Sequence, residues 1–239
     1  MKTAFITGAN QGIGFETTRQ LATLGYFVYM GCRNAVKGQA AVNRLKQDGI
    51  ASVDFIEIDI SDTFSVSQAK RKLETQTDSL DVLINNAAIA GPDMQNIDTV
   101  DMEALREIFN TNFFGTVQTT QALLPLLSRS SLPVIVNVSS ELGSLQTHLE
   151  GGKPNYLRFD GYSAAKTALN ALTVLLSGQL KDSHFKINSV TPGYTATNLN
   201  QYQGMKSPEE AADVIIKYAT LGSDGPSGGF FGQDGLIPW

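Results

Sequence analysis

Tyr162 and Lys166 stand four residues apart in "DGYSAAKTALNALTVL" (160–175), a run otherwise rich in alanine, leucine and small polar side chains. On a helix that spacing puts a phenol and an ammonium on one face. A free tyrosine, with a pKa of about 10, is too weak an acid for proton transfer near neutrality. A neighbouring ammonium favours the phenolate and makes the phenol a better donor. Such a pair suits delivery of a proton to an oxygen, as when hydride is added to the carbon of a carbonyl. The spacing recurs in "YQGMK", Tyr202 to Lys206, but a glycine interrupts that run and Ser207 and Pro208 open a new helix behind it. Those two side chains have no enforced common face. Upstream, Ser139 and Ser140 end the β-rich run "LPVIVNVSS", where a hydroxyl could hydrogen-bond a developing oxyanion.

A second chemistry-bearing stretch is "FITGANQGIGFETTRQLATLG", with Gly8, Gly12 and Gly14 between a β-rich run and a helical one. Glycines let a backbone approach a pyrophosphate closely, and the helix amides and macrodipole supply an anion site. The spacing G-x-x-x-G-x-G departs from the G-x-G-x-x-G of the larger dinucleotide-binding group, and a plain glycine turn is the alternative reading. The next β-rich run ends "VYMGCRNAVKG", with no acid placed to grip the ribose 2′-hydroxyl of NAD. Arg33, with Lys37 one helical turn later, could instead pair with a 2′-phosphate. NADP(H) is therefore favoured over NAD(H), against an ordinary basic helix start.

The elements that must position these groups alternate. The runs "TAFIT", "YFVYMG", "SVDFIEID", "LDVLINN", "LPVIVNVSS" and "FKINSVTP" are separated by helix-compatible segments near 13–24, 35–48, 62–78, 101–128, 161–182 and 208–221. The last starts at Ser207, Pro208 and Glu210, a cap, a first-turn proline and an early acid. Near-continuous apolar strand cores predict strands covered on both faces, hence an α/β fold with a doubly wound parallel sheet in three α/β/α layers. No linker, repeat or low-complexity block divides the chain, so residues 1–239 are expected to form a single domain.

With 239 residues, 42 % of them hydrophobic, the chain has enough apolar side chains for a sizeable core. Its formal net charge of −5 is spread without long runs, so neither nucleic acid nor an anionic membrane is an expected partner. Cys32 is the sole cysteine and Lys2 is followed by no apolar leader, which agrees with a reducing, cytoplasmic location. His148 and His184 lack the companion ligands of a metal site, and no metal is expected.

In chain order, "TGANQGIG", Asp59 with Ile60, "NNAA" at 85–88, "TNFFG" around Asn112, "VNVSS" ending at Ser140, "YSAAK" and "TPGYTAT" from Thr191 resemble the short-chain dehydrogenase/reductase family over essentially the whole chain. The resemblance implies a Rossmann fold and interconversion of a ketone or aldehyde with its alcohol, the small-molecule substrate, by hydride transfer. It implies that Gly8, Asn10, Gln11, Gly12, Ile13 and Gly14 form the pyrophosphate turn, that Asp59 and Ile60 flank the adenine, and that Asn86 and Ala87 lie along the adenosine ribose. Thr195, after Pro192 and Gly193, would bind the nicotinamide carboxamide. Asn112, Ser140, Tyr162 and Lys166 would form the catalytic tetrad, with Ser140 favoured over Ser139 by register, Asn112 positioning a water that links Lys166 to solvent, and Tyr162 and Lys166 also touching the cofactor.

Three features depart from the family pattern. "NNAA" replaces "NNAG", and Gln11 stands where many NADP-preferring members carry a base. Ser140 and Tyr162 are 22 residues apart, which marks an insertion near 144–159 resembling the carbonyl-reductase branch. The substrate pocket is expected from loops near 90–96, 142–160 and 194–206, the last a modest lid that orders on cofactor binding. The C-terminal "GGFFGQDGLIPW" resembles the family's last strand and tail, with Trp239 packing. Many relatives associate through the helices that would be 101–128 and 161–182, whereas the insertion could cover that surface; monomer and homo-oligomer both stay open. The other functional class open to such a fold is a cofactor-sensing regulatory protein without turnover, against which the intact Tyr162, Lys166 and Ser140 argue.

Overall fold

The computed structural model describes residues 1–150 and 159–239, so half of the insertion near 144–159 lies outside the described residues. Eight strands of the described residues form one sheet in the order β3-β2-β1-β4-β5-β6-β7-β8. They are β1 Thr3–Thr7, β2 Phe27–Cys32, β3 Val53–Glu57, β4 Val82–Asn85, β5 Val134–Val138, β6 Lys186–Val190, β7 Phe230–Gly232 and β8 Gly235–Leu236. All neighbours are parallel except the short closing pair β7–β8.

Alternation along the strands explains the three layers. Ala4 and Ile6, Val82 and Ile84, and Val134 and Val136 enter one core with Phe15, Leu21, Val42, Leu45 and Ile215. Phe5, Leu83 and Ile135 enter the other with Leu73, Leu123, Leu126 and Leu127. The first face is covered by α1 Gly12–Thr23, α2 Ala35–Gln47 and α8 Pro208–Ala219, the second by α3 Thr63–Glu74, α5 Thr116–Leu127 and α7 Asp160–Gln179. A strand buried on both faces has no place for a polar residue without a partner, which is why the runs read as continuous apolar stretches.

Two elements differ from the sequence-based reading. The helix expected over 101–128 is α4 Met102–Phe109, a π-helical turn Asn110–Gly115, and then α5. Part of the insertion forms a short helix, α6 Leu145–Leu149, capped by Ser144, whose hydroxyl accepts from Thr147 N at 3.1 Å. Among the described residues no helix is long and apolar enough to cross a membrane.

Candidate active site

The strand order reverses between β1 and β4, the crevice where doubly wound folds take their ligands. The Gly8 turn lies there. Gly8 has φ +65°, and a Cβ on Gly14 would stand 2.5 Å from the Gly8 carbonyl oxygen, so neither position takes a side chain without displacing the turn. Asn86 holds this turn from β4: its Nδ2 donates to Thr7 O at 2.9 Å and Gly8 O at 3.2 Å. Thr7 completes the tie, its Oγ1 accepting from the amides of Asn86 and Ala87, both at 3.0 Å. Asn86 thus shapes the turn with its side chain, and Thr7, which opens the quoted motif but has no role in the sequence reading, is its buried partner. No side chain caps α1, which leaves its first amides facing the crevice. A backbone cradle with free amides at a helix start fits a pyrophosphate.

Asn10 and Gln11 line a cavity of about 260 Å³ together with Phe15, Lys37, Arg44 and two alanines of α2. Arg33 is exposed just past β2 and is not part of that lining. Asp59 is turned to its own loop, accepting from Ser61 N at 2.9 Å and Ser61 Oγ at 2.6 Å, while Ile60 is buried. Cys32 is buried at the end of β2, and its thiol pKa is raised chiefly by that burial.

Helix α7 brings Tyr162 and Lys166 to the end of β5. Lys166 is 3 % exposed, and its Nζ donates to Val138 O at 2.8 Å while lying 5.5 Å from the Tyr162 ring centroid. Val138 precedes the two serines, which take opposite sides: Ser139 is buried, whereas Ser140 is half-buried and its Oγ accepts from Leu142 N at 3.2 Å. The turn carrying Ser140 is pressed onto α7, since Thr167 Oγ1 and Asn170 Nδ2 both donate to Gly143 O at 3.1 Å. A Cβ on Gly143 would come within 3.0 Å of the Lys166 backbone, so only glycine lets the turn approach so near. Below this, Asn85, Asn137 and Ser189 stand in register on β4, β5 and β6. Asn137 Nδ2 donates to Thr173 Oγ1 of α7 at 2.8 Å, and Thr173 Oγ1 lies 2.8 Å from Ser189 Oγ. Lys166, Asn170 and Thr173 thus form a polar seam along the sheet-facing side of α7.

Burial sets the protonation of the pair. It raises the Tyr162 phenol well above its ordinary value and pushes the Lys166 ammonium down to about 8. At neutral pH the tyrosine holds its proton and the lysine keeps most of its charge. The reading that the lysine draws the phenol down meets a stronger opposing effect, because desolvation disfavours the phenolate.

Asn112 sits in the π-helical turn, buried, and pairs with the Ile89 backbone: Ile89 N donates to its Oδ1 and its Nδ2 donates to Ile89 O, both at 2.9 Å. The π-helical turn packs against α7 and also touches α5. Gln95, fully buried in the loop after β4, accepts from Tyr162 N at 2.9 Å and donates to Ala90 O and Pro92 O. It holds the first turn of α7, and nothing local in the sequence marks it.

The segment 194–206 folds back on itself. Ala196 N donates to Lys206 O at 2.9 Å, and Asn200 Nδ2 donates to Thr195 O at 2.9 Å. Thr195 is buried, with Oγ1 donating to Gly193 O at 3.1 Å, whereas Thr197 Cγ2 lies 3.4 Å from where a Cβ on Gly12 would stand. Thr197 is therefore the threonine of this flap that meets the glycine turn. Tyr202 and Lys206 part company: Tyr202 is 69 % exposed, and Lys206 Nζ donates to Gln233 Oε1 at 2.7 Å. His148 Nε2 lies 2.9 Å from Leu142 O, and among the described residues no three His, Cys, Asp or Glu side chains converge as metal ligands.

The sheet order and the glycine turn at its switch point define a protein of the doubly wound Rossmann class. Residues 2–207 match the family model of the short chain dehydrogenases, and the chain belongs to that family of oxidoreductases. Salutaridine reductase of Papaver somniferum is 30 % identical over 291 aligned positions, covering 95 % of this chain and 93 % of its own. (+)-Neomenthol dehydrogenase of Capsicum annuum is 31 % identical over 300, covering 95 % and 94 %. Among solved structures, salutaridine reductase from Papaver somniferum superposes with a TM-score of 0.85 at 28 % identity, covering 98 % of this chain and 100 % of its own. An NADPH-bound carbonyl reductase from chicken fatty liver also gives 0.85, at 25 % identity, covering 100 % and 99 %.

Proposed function

We propose that this protein reduces a ketone or aldehyde to its alcohol, and reverses that reaction, with NADP(H) as the favoured cofactor. The observation that carries the reading is the Tyr162–Lys166 pair, a half-buried phenol beside a buried ammonium, tied through Val138 O to the strand end that presents Ser140. When bound, the reduced nicotinamide supplies the hydride. Ser140 Oγ–H donates to the carbonyl oxygen and stabilises its growing negative charge. Tyr162, kept protonated by burial, gives its proton to that oxygen. Lys166, charged below about pH 8, offsets the phenolate left behind. Asn112 fixes the π-helical turn beside α7 and would position a water that links Lys166 to solvent. Thr197 and the Gly12 turn close on the pyrophosphate, and the flap 194–206 with the described start of the insertion, 144–150, forms the substrate wall.

The cofactor preference is supported by Arg33, by Lys37 in the cavity beside Asn10 and Gln11, and by the absence of an acid at the end of β2. The NADPH held by the chicken relative points the same way. NADPH oxidation followed across a panel of ketones and aldehydes tests the reading, with NADP⁺ reduction across the matching alcohols. Turnover of at least one pair is expected. Bound cofactor without turnover of any of them would overturn it in favour of a sensing role.

A further inference from the structure

Gln11 leaves a gap in the positive charge expected beside the second glycine of the turn, and the cavity in front of it shows what fills that gap. Arg44 lines the same cavity as Gln11 and Lys37, although it comes from the second half of α2. Lys37 and Arg44 are seven residues apart, two turns on one helix face, and a helical side chain leans toward the N-terminus of its own helix. That lean carries the guanidinium toward Lys37 and the start of α1. Phe15 lies under it, 3 % exposed, with its ring centroid 4.7 Å from Arg44 Cζ. The face of an aromatic ring attracts a cation and leaves the outer N–H groups of a guanidinium free to donate. Neither ion pair formed among the described residues involves Arg44 or Lys37, and no acidic residue lines the cavity. Two cations facing one small cavity without a counter-charge are poised for an anion.

We propose that Arg44 is a cofactor-specificity residue, supplying from α2 the positive charge that Gln11 does not, so that it acts with Lys37 and Arg33 on the 2′-phosphate of NADP(H). This rests on the dinucleotide reading above. The alternative is that Arg44 merely covers Phe15 with its aliphatic stem, a packing role that Arg44→Met preserves.

Equilibrium binding of NADPH and NADH, followed by nicotinamide fluorescence without any substrate, separates the two. Arg44→Met is expected to weaken NADPH about tenfold, the scale of one charge-assisted contact to phosphate, and to leave NADH nearly unchanged. The NADPH affinity of the variant should also fall less steeply with added salt. Adding Gln11→Lys to Arg44→Met should restore NADPH affinity, because the charge returns to the same cavity from the other wall. Wild-type protein that favours NADPH, with Arg44→Met keeping the whole preference or losing both dinucleotides equally, overturns this inference alone. Wild-type protein that binds neither dinucleotide overturns the cofactor reading and the inference with it.

Discussion

Lys166 is asked to be buried and charged at once. Its pKa, lowered from 10.5 to about 8 by desolvation, measures that conflict at on the order of 3 kcal/mol. Below about pH 8 both folded and unfolded chains hold the proton, so the full cost is present. Between about 8 and 10.5 the folded chain releases it while the unfolded chain keeps it, so stability rises with pH there. Lys166→Met removes the conflict and should melt at a higher temperature than wild type at pH 7, with the gap closing toward pH 10.5; calorimetry across that range checks it. Carbonyl reduction should fall as pH rises through about 8, where the lysine loses the charge that offsets the phenolate. The pair was legible in the sequence because both members lie on one helix. Gln95, which holds that helix start, was not, and Thr7 stood in the quoted glycine motif without its role showing, because each acts across the fold on a backbone atom of another element.

Among the elements, α7 sets where Tyr162 stands relative to the end of β5 and the turn after Ser140. It is docked by Lys166 on Val138 O, Asn170 on Gly143 O and Thr173 on Asn137 and Ser189. Apolar contacts alone tolerate sliding of a helix, whereas a row of directional bonds does not. Thr173→Val keeps the shape and strands Asn137 Nδ2, which costs about 1–3 kcal/mol for an unsatisfied buried donor. It should lower the reduction rate at saturating substrate and leave NADPH affinity unchanged, while Thr173→Ser stays near wild type. Stopped-flow and denaturant melts measure both. Helical periodicity announced α7 within a few residues but missed the π-helical turn within 101–128. That break serves Asn112, which leaves the ordinary helical pattern to pair with Ile89, a partner 23 residues away that no local pattern reveals.

Over the whole molecule, the doubly wound parallel sheet was legible in the alternation of apolar runs and helical segments, because parallel strands need crossovers and the crossovers carry the helices, whereas the order of its strands was not read from the sequence. Less visible was the job of the chain's last residues. The β7–β8 hairpin holds the flap through Gln233 on Lys206, and the tail meets the insertion where Gln146 N donates to Trp239 O at 2.9 Å. Trp239 packs on Phe230 with ring centroids 5.7 Å apart. One edge of the sheet thereby ties the two loops proposed to wall the substrate. Gln233→Ala should loosen the flap without unfolding the sheet, seen as faster proteolysis near Lys206 at an unchanged melting temperature. The same tie parts the second tyrosine–lysine pair: Lys206 is engaged at the hairpin and Tyr202 faces out.

The central claim is that Tyr162 gives the proton, and single-turnover hydride transfer from NADPH to an accepted carbonyl tests it most directly. Tyr162→Phe should slow that step by about 10²–10⁴-fold, the usual span for a lost general acid, with NADPH affinity intact, and Tyr202→Phe should leave the rate near wild type. A Tyr162→Phe protein that transfers hydride at the wild-type rate, or a Tyr202→Phe protein that loses it, would contradict the account.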